Sequence, residues 1–231
     1  MNERVEWTPE RIKREVSDTC WNYQKLAART IPDYSDPKAQ ITHASFGIVA
    51  EVQEAYDAWD VSQVCEHCSE DFDQNEVDEL YRHLYRELGD ICWMAAELIT
   101  GLSEDLQEMF AHMYEYADTL LNDLKFRPYG YQADNLFGRM RSEAATIASE
   151  MQHTYQGRPL TSRYLAKVII RLYSEIAVLA CIVMANKGQD GITPGAALDA
   201  VLQTNIVKLR KRYPGAGWDL EHDVNRAEDD T

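Results

Sequence analysis

The sequence predicts an all-α protein, and three observations carry that prediction. Apolar residues recur with helical period through nearly every long segment, no segment alternates as a half-buried strand does, and capping or breaking residues stand at the segment ends. Thr8-Pro9-Glu10 is an N-cap, a proline at the first helical position and an early acid, opening a helix to about Arg29. Ile31 to Lys38 holds two prolines and several turn formers and reads as a loop. A second helix covers Thr42 to Asp60, and Val61 to Gln74 reads as an acidic loop. The third runs from Asn75 to Thr100, where Gly101 stops it. Ser103-Glu104-Asp105 caps a fourth that reaches Lys125, and Pro128 and Gly130 interrupt the pattern between Phe126 and Gln132. Three more helices follow, over Asp134 to Tyr155, Ser162 to Asn186 and Pro194 to Tyr213. The polar, acidic end after Trp218 reads as a tail.

The chain is long enough, at 231 residues, to bury a substantial core. With 23 basic and 39 acidic residues the formal charge is −16, which repels phosphate backbones and anionic lipid and argues against nucleic-acid or membrane binding. The start lacks the apolar run and cleavage site of a signal peptide. The longest apolar run, Ile176 to Ala185, is too short to span a bilayer. Five cysteines are an odd number, and Cys92 and Cys181 fall in apolar helical pattern as reduced thiols do, so the expected compartment is the cytoplasm. Cys65-Glu66-His67-Cys68 has half the spacing of a zinc site, but no second pair completes it.

Two helices carry the same arrangement of acids. On the second, Ala44, Ile48, Val52, Ala55 and Trp59 make one apolar stripe, with Glu51 roughly 60° and Glu54 roughly 120° from its centre. On the third, Leu80, Leu84, Leu88, Ile91, Ala95 and Leu98 form the stripe, and Glu87 and Asp90 fall roughly 60° and 120° to the same side. Packed antiparallel, the two helices can bring four carboxylates together at the edge of a bundle. Carboxylates so placed repel one another without a cation, and hard oxygen donors suit Mg²⁺ or Mn²⁺. Geometry by itself leaves a solvated helix flank equally open. A di-iron centre would need Glu-x-x-His on two helices, and only Glu150-Met151-Gln152-His153 fits.

Glu51-Val52-Gln53-Glu54 followed by Glu87-Leu88-Gly89-Asp90 resembles the E-x-x-E … E-x-x-D signature of MazG-like nucleotide pyrophosphohydrolases, an all-α superfamily of NTP pyrophosphatases. Phe46-Gly47-Ile48-Val49-Ala50 is similar to the run before the family's glutamates. Asn205-Ile206-Val207-Lys208-Leu209-Arg210-Lys211-Arg212-Tyr213-Pro214 resembles its closing N-x-x-K-L-x-x-R-Y-P element, and Tyr23-Gln24 through Thr30 looks like the first helix of short, phage-type members. The resemblance implies a helical bundle in which Glu51, Glu54, Glu87 and Asp90 hold Mg²⁺ (Mn²⁺ as a substitute). Glu51 or Glu54 would activate water, and Asn205, Lys208, Arg212 and Tyr213 would contact the nucleotide. The implied reaction is hydrolysis of a (deoxy)nucleoside triphosphate to the monophosphate and pyrophosphate; the alternative is a non-catalytic nucleotide- or protein-binding bundle of the same fold. A homo-oligomer, a dimer above all, is the implied assembly. The sequence departs from short members in Met94, in the long stretch between the acid pairs, and in the roughly ninety residues between the third helix and the Asn205 element.

That extra length reads as a duplication giving two tandem related halves, a pseudo-dimer: 1–125 with the acid pairs, 126–218 with the Asn-x-x-Lys element, and a tail over 219–231. Aligning stripes matches Glu51 with Glu143 and Glu87 with Glu175, whereas Glu54 meets Thr146 and Asp90 meets Val178. One working site is then expected, with metal ligands from the first half and phosphate contacts from the second. The alternative is an unrelated helical insertion.

Overall fold

A computed structural model describes residues 17–34, 36–67, 74–189 and 191–213, apart from the side chains of 64–67 and 74. The Thr8-Pro9 cap, the Cys65 to Cys68 motif and the tail lie outside these described residues or side chains. Among the described residues the chain is helical throughout and has no strand. In order, the helices are α1 (Asp18–Trp21), α2 (Tyr23–Ala27), a 3-10 turn (Ala28–Thr30), α3 (Pro37–His67) and α4 (Gln74–Gly101). Then come α5 (Leu106–Leu124), α6 (Tyr129–Tyr155), α7 (Ser162–Asn186) and α8 (Pro194–Arg212).

Local chemistry explains most of the ends. Thr193 caps α8 by accepting from the Ala196 amide, with Pro194 at the first position, where its missing N–H costs nothing. Asp105 caps α5 through the Gln107 amide at 2.8 Å. Helices α6 and α7 end on left-handed glycines, Gly157 (φ 87°) and Gly188 (φ 81°). The residue after each donates back to a carbonyl of the last turn, Arg158 to His153 and Gln189 to Met184.

Four expectations need correction. The single helix expected up to Arg29 is broken after Trp21, where Asn22 leaves helical geometry, so its described part is two short helices and a 3-10 turn. Pro37 and Lys38 open α3 rather than belonging to the loop before it, because proline is well suited to a first helical position. The acidic stretch from Val61 continues the same helix to His67; it contains neither glycine nor proline, and exposed charge alone does not break a helix. Finally, α7 is long and apolar enough to cross a membrane (25 residues, mean hydropathy 2.1), although 78% of its apolar window is buried inside the bundle, as in a core helix.

One hydrophobic cluster runs through the molecule. Both apolar stripes of the first half are inside except for the half-buried Leu80: Ala44, Ile48, Val52, Ala55 and Trp59 on α3, and Leu84, Leu88, Ile91, Ala95 and Leu98 on α4 are each at most 2% exposed. So are Met140, Ala144, Ile147 and Met151 on α6 and Leu172, Ile176 and Leu179 on α7. Helix α3 packs on α4 and α6 packs on α7, while α3 also meets α6. The third helices cross over: α5 packs on α7, and α8 packs on both α7 and α4. Buried hydroxyls tie the halves together. Tyr173 of α7 donates to the Cys92 carbonyl of α4 at 2.7 Å, and Ser174 donates to the Met113 carbonyl of α5 at 2.9 Å. Truncating a buried residue of this kind leaves a cavity or an orphaned acceptor, and costs about 1–3 kcal/mol for the hydrogen bond alone.

Candidate metal centre

The pairing of α3 with α4 sets the site. Glu51 on α3 faces Glu87 and Asp90 on α4, and one oxygen from each lies within 4.8 Å of the other two. Glu87 is buried (7% exposed), while Glu51 and Asp90 are half-buried. Glu54 is exposed, one turn along α3, and stands outside this cluster of three oxygens.

Burial and mutual repulsion both favour keeping protons on this cluster. Burial, reinforced by the charges of Asp90, Glu54 and Glu87, pushes the Glu51 carboxyl from 4.5 up to about 8, against a partial offset from Lys208. Burial and then Asp90 push Glu87 up to about 7. Carboxyls that resist ionising in an acid cluster are those a divalent cation would relieve, and all the donors are hard oxygens. The three carboxylates could hold a metal ion.

Helix α8 brings cationic and amide groups to the same point. Lys208 Nζ lies 2.5 Å from Asp90 Oδ2, and Asn205 Nδ2 donates to Asp90 Oδ1 at 2.9 Å. Asn205 is fully buried and is itself held: Tyr23 of α2 donates to its Oδ1 at 2.7 Å, which fixes the amide with its nitrogen toward Asp90. Burial raises the Tyr23 phenol well above its ordinary range, so it remains a donor at any working pH. The close approach of α8 to α4 depends on Gly89, where a Cβ would lie 2.8 Å from the Cβ of Asn205. On the far side of Glu87, His83 Nδ1 lies 3.3 Å from Glu87 Oε1. Burial, then Arg86 and Lys208, lower the His83 pKa and favour its neutral form.

Of the eight residues singled out in the sequence, Glu51, Glu87, Asp90, Asn205 and Lys208 meet at this point. Glu54 sits at its exposed rim. Arg212 is half-buried at the last position of α8, one turn beyond Lys208, and Tyr213 caps that helix as a buried member of the core cluster. Tyr23, Gly89 and His83 enter the site without having been singled out for it. Gly89 did carry a signal, being a glycine within an otherwise strong helix former run beside an acid, which marks a close backbone approach.

A second polar cluster lies further along the same helix pair. Glu97 of α4 is fully buried, and both its oxygens lie 3.0 to 3.2 Å from His43 Nδ1 of α3. Between the two clusters, Gly47 gives room to Met94, whose Sδ would lie 2.4 Å from a Cβ at position 47.

No protein-family model matches the chain, and neither a curated protein nor a solved structure was found to be similar to it.

Proposed function

We propose that the protein hydrolyses (deoxy)nucleoside triphosphates to the monophosphate and pyrophosphate with Mg²⁺ (or Mn²⁺), as the resemblance to MazG-like pyrophosphohydrolases implies. The single observation that carries the reading is the convergence on Asp90 of two kinds of group. Glu51 and Glu87 supply oxygen donors for a cation, Lys208 supplies a donor for phosphate oxygens, and Asn205 holds Asp90 between them.

In this reading Glu51, Glu87 and Asp90 hold the cation, which supplies charge neutralisation on the transferring phosphoryl group and a fixed place for the triphosphate. Lys208, whose flexible stem can serve either anion, would exchange its pairing with Asp90 for one with the departing pyrophosphate. Asn205, locked by Tyr23, keeps Asp90 oriented throughout. Glu54, exposed and outside the cluster of three oxygens, would take the proton of the attacking water. Arg212 extends the basic face of α8 by one turn toward the phosphates.

The packing also supports a duplicated bundle of the MazG-like type. Helices α3 and α4 pair as α6 and α7 do, and each third helix, α5 or α8, packs on the second helix of the other half. The crossed exchange supplies what a single half lacks: carboxylates come from 1–125 and their phosphate-binding partners from 126–218.

The test is pyrophosphate release from a panel of ribo- and deoxyribonucleoside triphosphates in Mg²⁺. Equimolar monophosphate and pyrophosphate, with no free phosphate and full loss on chelation, is the expected result. A chain that binds nucleotide yet releases no pyrophosphate from any member of the panel would assign the fold to binding alone.

A further inference from the structure

Helices α1 and α2 run along α8 in the same direction, as two contacts show: Ser17, the N-cap of α1, donates to Asp199, and Tyr23 of α2 donates to Asn205. A cleft of about 550 Å³ opens between this pair and the last turn of α8. Lys25 and Arg29 line it from one side and Arg210 from the other, with Asp18 the one acid among its lining residues. All three cations are exposed, and none forms an ion pair among the described residues. Three positive charges against one negative is the reverse of the balance of the chain, whose formal charge is −16. Helical period turns the cleft away from the metal centre. Arg210 lies two residues from Lys208, roughly 160° round α8, and Lys25 is turned equally far from Tyr23 on α2.

We propose that this cleft is a polyphosphate site separate from the metal centre, in which Lys25, Arg29 and Arg210 bind a pyrophosphate or the phosphates of a nucleoside triphosphate. Two guanidinium forks and a mobile ammonium reach the cleft from two helices. Donors spread in that way suit tetrahedral phosphoryl oxygens better than a flat carboxylate. Three cations less one acid leave a local surplus that a ligand of at least two negative charges neutralises. A long polyanion such as nucleic acid would also meet the acidic surface beyond the cleft, whereas a small ligand is screened from charges more than about 8 Å away. A ligand bridging Lys25 or Arg29 to Arg210 also holds α2 on α8, the contact through which Tyr23 fixes Asn205 against Asp90. On the metal-dependent reading above, occupancy of the cleft therefore lowers the Mg²⁺ concentration that the site requires; the cleft itself does not rest on that reading.

Calorimetric titration of the full chain with pyrophosphate in chelator tests this, since without a divalent cation the acid cluster repels the ligand. One pyrophosphate per chain is expected, bound more weakly as salt rises. Arg29→Gln and Arg210→Gln should each weaken binding about tenfold, the loss of one charge-assisted contact. Both side chains are exposed, so the variants keep their fold, which circular dichroism verifies. Lys211→Gln removes the same charge from α8 outside the cleft lining and should leave the affinity nearly unchanged. Lys208→Gln should do likewise; a loss there equal to that at Arg210 would put the ligand in the metal centre and overturn the proposal. So would succinate binding as tightly as pyrophosphate, or a folded chain that binds no pyrophosphate. A nucleoside triphosphate titrated in the same way identifies the source. Tighter binding than pyrophosphate assigns the cleft to nucleotide, equal or weaker binding assigns it to free pyrophosphate, and in both cases the losses at Arg29 and Arg210 must hold. Because no metal takes part, the result stands or falls apart from the proposed hydrolysis.

Discussion

Glu51→Gln should make the metal-free protein more stable at high pH and at the same time abolish its response to Mg²⁺. The folded chain holds the Glu51 proton up to about 8, against an ordinary 4.5, so the folded state binds a proton that the unfolded state has released. Stability therefore falls as pH rises between those values, and the full penalty is present above pH 8. A shift of that size corresponds to at most ~5 kcal/mol at ~1.4 kcal/mol per pH unit. Screening at a half-exposed edge reduces the recoverable part to about 2 kcal/mol. For a chain of this length that is a rise of about 4–8 °C in Tm. Thermal melts by circular dichroism at pH 5 and pH 9, each in chelator and in Mg²⁺, make the measurement. In chelator, the variant should gain several degrees over wild type at pH 9 and almost nothing at pH 5, where the wild-type carboxyl is still protonated in the fold. In Mg²⁺ the order should reverse, because only the wild type has the third carboxylate to bind the ion. A variant that is equally destabilised at both pH values would refute the view that burial of the charge, reinforced by its acidic neighbours, rather than a hydrogen bond or packing, governs this carboxylate.

Three other substitutions probe separate parts of the site. Glu54→Gln should leave the Mg²⁺-induced rise in Tm intact while lowering turnover by about 10²–10⁴-fold, the usual range for a lost general base; loss of the metal response as well would put Glu54 among the ligands. Gly89→Ala must push α8 away from α4, costing about 1–3 kcal/mol in denaturant melts and weakening Mg²⁺ binding as Asn205 withdraws. Unchanged stability there would show that the helix contact is slack. Tyr23→Phe leaves the buried Asn205 oxygen without its donor, a loss of about 1–3 kcal/mol, and frees the amide to turn, so the Mg²⁺ concentration needed for half-maximal activity should rise more than turnover falls. A stability loss with no change in that concentration would confine Tyr23 to the core.

The helices and the carboxylates were legible because each depends on neighbours within one or two turns. The stripe through Ala44, Ile48 and Val52 and the offset of Glu51 from it follow from the helical period alone, as do Leu84, Leu88 and Glu87. What was not legible depends on residues far apart in the chain. Tyr23 meets Asn205 across 182 positions, and nothing local to either announces the other. The exclusion of Glu54 from the oxygen cluster is a matter of how α3 turns against α4, which a periodicity argument resolves only to within tens of degrees. The stretch after Val61 differs for another reason: acidity marks exposure and does not by itself end a helix, so α3 runs on to His67. The apolar length of α7 exceeds any uninterrupted run in it, because a polar residue such as Ser174 can hydrogen-bond to the helices that enclose it.

The crossing of α8 onto α4 means that the opposite charges Asp90 and Lys208 lie 118 positions apart, with the link between halves at Lys125 to Pro128 between them. Severing that link would leave one fragment with acids and no lysine, and another with lysine and no cluster to receive it. Neither piece alone would be expected to turn over substrate, and mixing them would regenerate activity only as fast as the shared core reassembles. The same dependence makes the site a reporter of complete folding, since it cannot exist until the last helix has docked.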